Sequence, residues 1–102
     1  MFPLARFRVD DRSMEPTLVP GDFVIVNRWA YRRRGPVRGD LVVLRDPQKP
    51  DRFLVKRVAD AASGGALFVV GDNEPLSRDS RTFGPVARDR LVGRVWRRVA
   101  RA

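Results

Sequence analysis

A lysine inside an apolar segment and a serine in a turn are the two side chains of this sequence that could do chemistry together. Lys56 lies in the run Phe53–Val58, and alternation along a strand would place it on one face with Leu54 and Val58. An ammonium group against an apolar wall is disfavoured, which lowers its pKa and favours a neutral amine near neutral pH. A neutral amine is a general base, and Ser13 offers a hydroxyl for it to activate.

A third segment strengthens this pairing, since neither residue is distinctive alone. A serine in a turn is usually structural, and most lysines in strands extend to water. Pro16 stiffens the turn after Ser13, so that the turn can present both a hydroxyl and a backbone N–H to a carbonyl group. Residues 71–84 add hydroxyls, carboxylates and a spaced Asp79/Arg81 pair in one loop. Together the three segments favour a chemical role for Ser13 and Lys56.

Composition limits the catalytic alternatives. The chain has 102 residues, which fits a single domain over residues 1–102 with one modest core. It contains no histidine and no cysteine, and this excludes disulfides, thiolate chemistry, a Ser-His-Asp triad and the usual zinc sites. We therefore expect neither a metal nor another cofactor.

The formal net charge of +9 points to nucleic acid, an anionic membrane or an acidic partner. Arginine runs such as 32–34 are more often solvated surface, and no aromatic platform accompanies them, so specific nucleic-acid binding is not expected. The longest apolar runs have four to six residues, whereas roughly 20 are needed to span a bilayer. We expect a cytoplasmic protein, or one with peripheral membrane contact through Phe2, Leu4 and the arginines.

The elements that must position these residues are mainly β-strands. Short β-branched and aromatic runs alternate with turn signals rich in glycine, proline and aspartate, which is typical of a single-domain β-sheet or partial barrel. One helical turn at residues 28–32 is the most that helical periodicity allows. The predicted strands are residues 23–26, 41–44, 53–58, 67–70 and 91–99.

Four motifs in order resemble the signal peptidase I family of serine endopeptidases, which use a Ser-Lys dyad. Agreement of all four at compatible spacing is unusual by chance, although each motif alone is a modest match. The resemblance implies the β-sheet or partial barrel that this family shares with self-cleaving repressors. The motifs are Ser13–Leu18 followed by Pro20–Asp22, Arg38–Val43, Val55–Val58, and Gly71–Asn73 continuing to Ser77–Arg81.

The resemblance implies a role for each matching side chain. Ser13 matches the nucleophile, and Lys56 matches the general base that removes its proton. Ser77 matches the hydroxyl that orients the lysine. Asp79 and Arg81 match a salt-bridged pair that holds the last loop against the site.

The implied reaction is removal of an amino-terminal extension from a precursor protein. An extended substrate segment would add along an exposed strand edge, and Met14 would help to shape the pocket beside the scissile bond. Asp72 and Asn73 are expected to be structural. The short chain without an anchor segment is most similar to the maturation proteases of nickel-type superoxide dismutase, and a general signal peptidase is the alternative.

Asp11 departs from the family pattern. Many members place a serine or glycine two residues before the nucleophile, where a serine hydroxyl can donate to the oxyanion. A carboxylate aimed at a developing negative charge would oppose catalysis. We therefore expect Asp11 to turn away, toward Arg12 or another arginine, and the Ser13 backbone N–H to carry most of the stabilisation.

Two further interpretations remain open at this stage. The carboxyl-terminal domain of a self-cleaving repressor shares the dyad, but no helix-turn-helix or cleavable linker precedes it here. A non-enzymatic basic β module that binds RNA, DNA or anionic lipid is supported by the charge alone. Salt-dependent binding of oligonucleotides, unaffected by Ser13→Ala, would favour that module.

Overall fold

The computed structural model describes residues 2–62 and 64–100, and the strands in this part of the chain form a single six-stranded antiparallel sheet. The strand order is β1-β2-β6-β3-β4-β5, so β1 and β5 are the edges and the sheet is not closed into a barrel. The strands are β1 (Leu4–Arg8), β2 (Phe23–Asn27), β3 (Leu41–Arg45), β4 (Phe53–Ala61), β5 (Leu67–Val70) and β6 (Leu91–Val99).

The prediction of a mainly β fold with strands β2 to β6 is confirmed, and β1 is the strand that it missed. The alternation of arginine with apolar residues in Leu4–Arg8 is too short to predict a strand. This segment forms a strand because it pairs with β2, and the local sequence does not reveal that pairing. β4 continues to Ala61, three residues past its predicted end at Val58.

Residues 28–32, where the sequence allows one helical turn, do not form a helix. This segment makes isolated turns, in which Ala30 N–H donates to Asn27 O and Arg32 N–H donates to Trp29 O. The α-helical turn instead lies at α1 (Ser80–Phe83), where the Asp79 carboxylate caps the helix by accepting the Arg81 N–H. Two 3₁₀ turns lie at Glu74–Leu76 and Arg88–Arg90. Within the described ranges, no helix is long and apolar enough to cross a membrane.

Apolar side chains cover both faces of the sheet, because neighbouring residues of β3 point in opposite directions. Val42 and Leu44 belong to one buried cluster, which also contains Leu54 and Val58 of β4. Val43 belongs to a second cluster, and this one contains Val9, Met14, Leu18, Val24 and Val26. The sheet is therefore the middle layer of the core, and the turn after Ser13 packs on one side of it.

Gly93 allows β6 to pass close to β2. A Cβ atom at this position would lie 2.4 Å from the Asn27 carbonyl oxygen and 2.8 Å from a Val26 methyl carbon. We expect Gly93→Ala to lower the free energy of unfolding by about 1–3 kcal/mol, since backbone atoms must move to accommodate the methyl group.

Urea unfolding monitored by circular dichroism measures this loss. Gly64→Ala is the matched control, because a Cβ there meets no heavy atom of the described chain within 4 Å apart from its own neighbours. Equal stability of the two variants would contradict the close approach at Gly93.

Candidate active site

Lys56 is a buried amine in the middle of β4. The strand alternates as expected, so Leu54, Lys56 and Val58 are buried while Phe53 is exposed. Only 1% of the Lys56 surface is accessible to solvent. Burial lowers the pKa of this lysine because the ammonium form loses its hydration.

Four charged groups modify that effect on the Lys56 amine. The carboxylates of Asp11 and Asp79 favour its charged form and raise its pKa, whereas the guanidinium groups of Arg78 and Arg81 lower it. The net shift is downward, with burial as the largest cause. The environment therefore favours a neutral amine at lower pH than an ordinary lysine requires.

A chain of hydrogen bonds fixes the position of the lysine amine. Lys56 Nζ donates to Ser77 Oγ over 3.0 Å, and the Ser77 hydroxyl donates to Asp79 Oδ2 over 2.6 Å. Asp79 is fully buried and also accepts hydrogen bonds from the Arg81 guanidinium and from the Gly71 N–H. Residues 71, 77 and 81 of one loop thus meet at this carboxylate, and Ser77 connects it to Lys56 of β4.

The ion pair between Asp79 and Arg81 keeps this carboxylate charged. Burial by itself raises the pKa of Asp79, but hydrogen bonds from Arg81, Ser77 and backbone N–H groups outweigh it and leave the pKa well below the ordinary range. Because ionised Asp79 can only accept, the Ser77 hydroxyl must donate to it. The Ser77 oxygen is then left to accept a hydrogen from Lys56.

Ser13 is brought to the same place by the loop that follows β5. Only 3% of Ser13 is accessible, and its carbonyl accepts the Asn73 N–H over 2.8 Å. The Asn73 side chain donates to the Arg12 carbonyl over 2.9 Å. Within the described residues, the side-chain hydrogen bond of Lys56 is to Ser77, and the Ser13 turn approaches this pair through Gly71.

Gly71 is the point where the two serines converge. A Cβ atom at this position would lie 2.2 Å from Ser77 Oγ and 2.6 Å from the Ser13 carbonyl oxygen. No other residue fits there without pushing the Ser13 turn away from the Ser77 loop. The glycine of the last motif is therefore required by close packing and not by a left-handed backbone.

Asp72 connects the serine turn to the lysine strand. The sequence predicted a structural role for Asp72 but not these partners. Its carboxylate accepts two hydrogen bonds from the Arg57 guanidinium, at 2.8 and 2.9 Å, and one from the Thr17 hydroxyl at 2.6 Å. Thr17 and Arg57 were missed as site residues. Their positions beside Ser13 and Lys56 in the motifs were the available signal.

A second ion pair that the sequence did not reveal holds the Ser77 loop from the other side. Asp46, fully buried after β3, accepts hydrogen bonds from the Arg78 guanidinium, and Arg78 also donates to Gln48. The pKa of Asp46 is lowered because hydrogen bonds from Arg78 and from two backbone N–H groups outweigh its burial. Asp46 is followed by Pro47, so its local sequence is typical of a turn and does not indicate this pairing.

The expectation that Asp11 turns away from the site is wrong. Its carboxylate Oδ1 accepts the backbone N–H of Ser13 over 3.1 Å, while Arg12 pairs with Glu15 instead. An aspartate side chain readily accepts from the N–H two residues later, so this hydrogen bond is local in sequence. The N–H that was expected to stabilise an oxyanion is therefore engaged by Asp11 in this structure.

A groove of about 400 Å³ opens beside Ser13. One wall is β1, an edge strand, and the other is the beginning of β4 from Phe53 to Val55. Met14 lines this groove. Only 1% of Met14 is exposed, because it packs in the same core cluster as Val43. The groove therefore joins an edge strand of the sheet to Ser13.

Comparison with known proteins assigns the family. The sequence profile described as signal peptidase, peptidase S26, matches residues 1–64 and 60–100. The chain therefore belongs to the signal peptidase family, peptidase S26.

Curated relatives agree with this assignment. The chain is 37% identical to the mitochondrial ATP-independent inner membrane protease subunit 1b of Arabidopsis thaliana, over 83% of this chain and 64% of that protein. It is 35% identical to the mitochondrial inner membrane protease subunit 2 of Mus musculus, over 78% and 58%. Signal peptidase I of Pseudomonas aeruginosa is 32% identical over 90% of this chain and 34% of its own length. The chain thus spans between about a third and two thirds of these relatives.

Proposed function

We propose that this chain carries the site of a serine endopeptidase that removes a short amino-terminal signal or propeptide from a precursor protein. Ser13 is the nucleophile and Lys56 is the general base of a Ser-Lys dyad. The observation that supports this most is the Lys56 amine, 1% exposed and hydrogen-bonded to Ser77, beside the loop that holds the Ser13 turn. Membership of a peptidase family adds to this support.

The hydrogen-bond direction at Ser77 suits the lysine for this role. Ser77 donates to ionised Asp79 and accepts one hydrogen of the neutral Lys56 amine. The lone pair of that amine is then free to accept a proton from the Ser13 hydroxyl. Arg81 keeps Asp79 charged, and in this way it maintains the orientation of Ser77.

The reaction is an acyl transfer in two stages. The Ser13 proton passes to Lys56 as Ser13 Oγ attacks the peptide carbonyl, and the electron pair of the carbonyl moves to its oxygen. When this intermediate collapses, the C–N bond breaks and the proton on Lys56 passes to the leaving amine. Water then loses a proton to Lys56 as it attacks the carbonyl carbon of the acyl-enzyme. When this second intermediate collapses, the ester C–O bond breaks and the proton on Lys56 passes to Ser13 Oγ, which restores the enzyme.

Substitution of the dyad tests the proposal directly. We expect Ser13→Ala and Lys56→Ala each to reduce precursor cleavage by roughly 10⁴-fold or more, because each removes a group that acts in the bond-forming step. Lys56→Arg should be equally inactive, since arginine does not deprotonate in proteins. Lys49→Ala is the control, because Lys49 is exposed in the turn between β3 and β4.

The assay incubates the protein with precursors and identifies new amino termini by sequencing. A signal-peptide precursor and a nickel-type superoxide dismutase precursor are compared, because the maturation subgroup stays a prediction. Cleavage that survives Ser13→Ala in a folded variant would disprove the dyad. Salt-dependent binding of oligonucleotides in the absence of any cleavage would favour the basic binding module.

The pH dependence of cleavage has a defined sign. Only the neutral amine of Lys56 can accept the Ser13 proton, so kcat/KM should rise with pH through the lysine pKa. Because burial lowers that pKa, the rise should occur below the pH at which an exposed lysine titrates. A rate that stays constant, or falls, over this range would contradict the assignment of Lys56 as the base.

We also propose peripheral contact with an anionic membrane through the outer face of β1, β2 and β6. Register places Arg6 and Arg97 beside Ile25 on this face, opposite the buried Val24 and Val26. Two of the relatives named above are called inner membrane proteases. Arg8 of this face pairs with Asp10 at the end of β1. The face includes Leu4, Arg6, Arg8, Phe23, Ile25, Arg97 and Val99.

Vesicle sedimentation tests this contact. Each arginine near an anionic surface contributes about 1 kcal/mol, so the double variant Arg6→Gln, Arg97→Gln should bind phosphatidylglycerol vesicles roughly thirtyfold more weakly. The control is Arg33→Gln, Arg34→Gln, which removes the same charge from an exposed loop outside this face. Equal loss in both double variants would show attraction by net charge alone, and would refute a specific face.

A further inference from the structure

Asp11 holds the hydrogen-bond donor that an oxyanion would need. Its Oδ1 accepts the Ser13 N–H over 3.1 Å, and a backbone N–H has only one hydrogen to donate. A substrate carbonyl that becomes tetrahedral at Ser13 would require the same N–H. The carboxylate and the oxyanion therefore compete for one donor, and their like charges also oppose simultaneous occupancy.

We propose that Asp11 is a positioning residue that holds the site at rest, with its carboxylate on the Ser13 N–H until a bound substrate carbonyl displaces it. This inference rests on the proposed function. Asp11 is exposed and lines the groove beside Ser13, so its carboxylate can move into water without leaving a buried charge. Asp79 lacks this freedom, because it is fully buried and held by Arg81.

Displacement of Asp11 would also act on the general base. Asp11 and Asp79 both raise the pKa of Lys56, against the lowering by burial and by Arg78 and Arg81. Of the two carboxylates, only the exposed one is able to move away. When Asp11 leaves, the pKa of Lys56 falls further and the neutral amine is favoured. Substrate entry thus frees the oxyanion donor and the base in the same event.

The two lysines of the chain make the effect on Lys56 measurable without any protease assay. Labelling lysine with ¹³C at Cε gives resonances for Lys56 and for exposed Lys49, which serves as an internal reference. In an NMR titration, Asp11→Asn should move the Lys56 midpoint to lower pH and leave Lys49 unchanged. Asp89→Asn is the matched control, since it removes the same charge from an exposed residue of the 3₁₀ turn before β6.

Amide hydrogen exchange at Ser13 tests the hydrogen bond itself. Asp11→Ala removes the acceptor and should accelerate exchange of the Ser13 N–H, whereas Asp11→Asn keeps an amide oxygen in its place and should exchange at close to the wild-type rate. Where precursor cleavage is observed, Asp11→Ala should raise kcat/KM about fivefold, the equivalent of one ordinary hydrogen bond no longer in competition. Asp11→Asn should shift the acid limb of the pH profile to lower pH.

The outcomes separate this inference from the proposed function. An unchanged Lys56 midpoint in Asp11→Asn, or unchanged Ser13 exchange in Asp11→Ala, would overturn the inference whether or not the protein cleaves a precursor. Lower kcat/KM in Asp11→Ala would also overturn it, because a residue that restrains the site must improve the reaction when removed. If the wild-type protein cleaves nothing, the proposed function fails, while the two NMR measurements still decide the role of Asp11.

Discussion

The burial of one amine is the constraint on which the rest of the site depends. A lysine that is almost inaccessible to water must either be neutral or be paired, because an isolated ammonium group in an apolar environment is very costly. Here Ser77 accepts from the amine, Asp79 accepts from Ser77, and Arg81 neutralises Asp79. Each group in this series forms a hydrogen bond or an ion pair with the group before it. The series ends at the Arg81 guanidinium, which is partly exposed to solvent.

Three segments far apart in sequence are held together by the loop after β5. Gly71 lets the Ser13 turn and Ser77 approach, and Asn73 binds the backbone of that turn. Asp72 connects Thr17 to Arg57, the neighbour of Lys56 on β4. More residues therefore hold the proposed catalytic groups in place than are proposed to react. Precise placement is worth many kcal/mol in acyl transfer, which gives these supporting contacts their importance.

The arrangement also explains part of the arginine content. Arg57, Arg78 and Arg81 each pair with a carboxylate that is buried or half-buried, namely Asp72, Asp46 and Asp79. A guanidinium group suits these positions because it makes several hydrogen bonds at once and stays charged. These arginines support the site, whereas Arg6 and Arg97 lie on the outer face of β1, β2 and β6, for which we propose contact with an anionic membrane.

The sequence by itself determined the strand periodicity, the exclusion of histidine and cysteine chemistry, and the candidates Ser13, Lys56, Ser77, Asp79 and Arg81. These features depend on residue type and on near neighbours, so a linear pattern records them. Only the tertiary structure decided the order of the strands, the pairing of Asp46 with Arg78, and the bridge from Thr17 through Asp72 to Arg57. Those contacts join residues up to 55 positions apart, and no local pattern encodes which distant partners meet. The expectation for Asp11 was wrong because it considered only the repulsion between the carboxylate and the oxyanion of a reacting substrate. Without that oxyanion, the Asp11 carboxylate accepts the nearby Ser13 N–H.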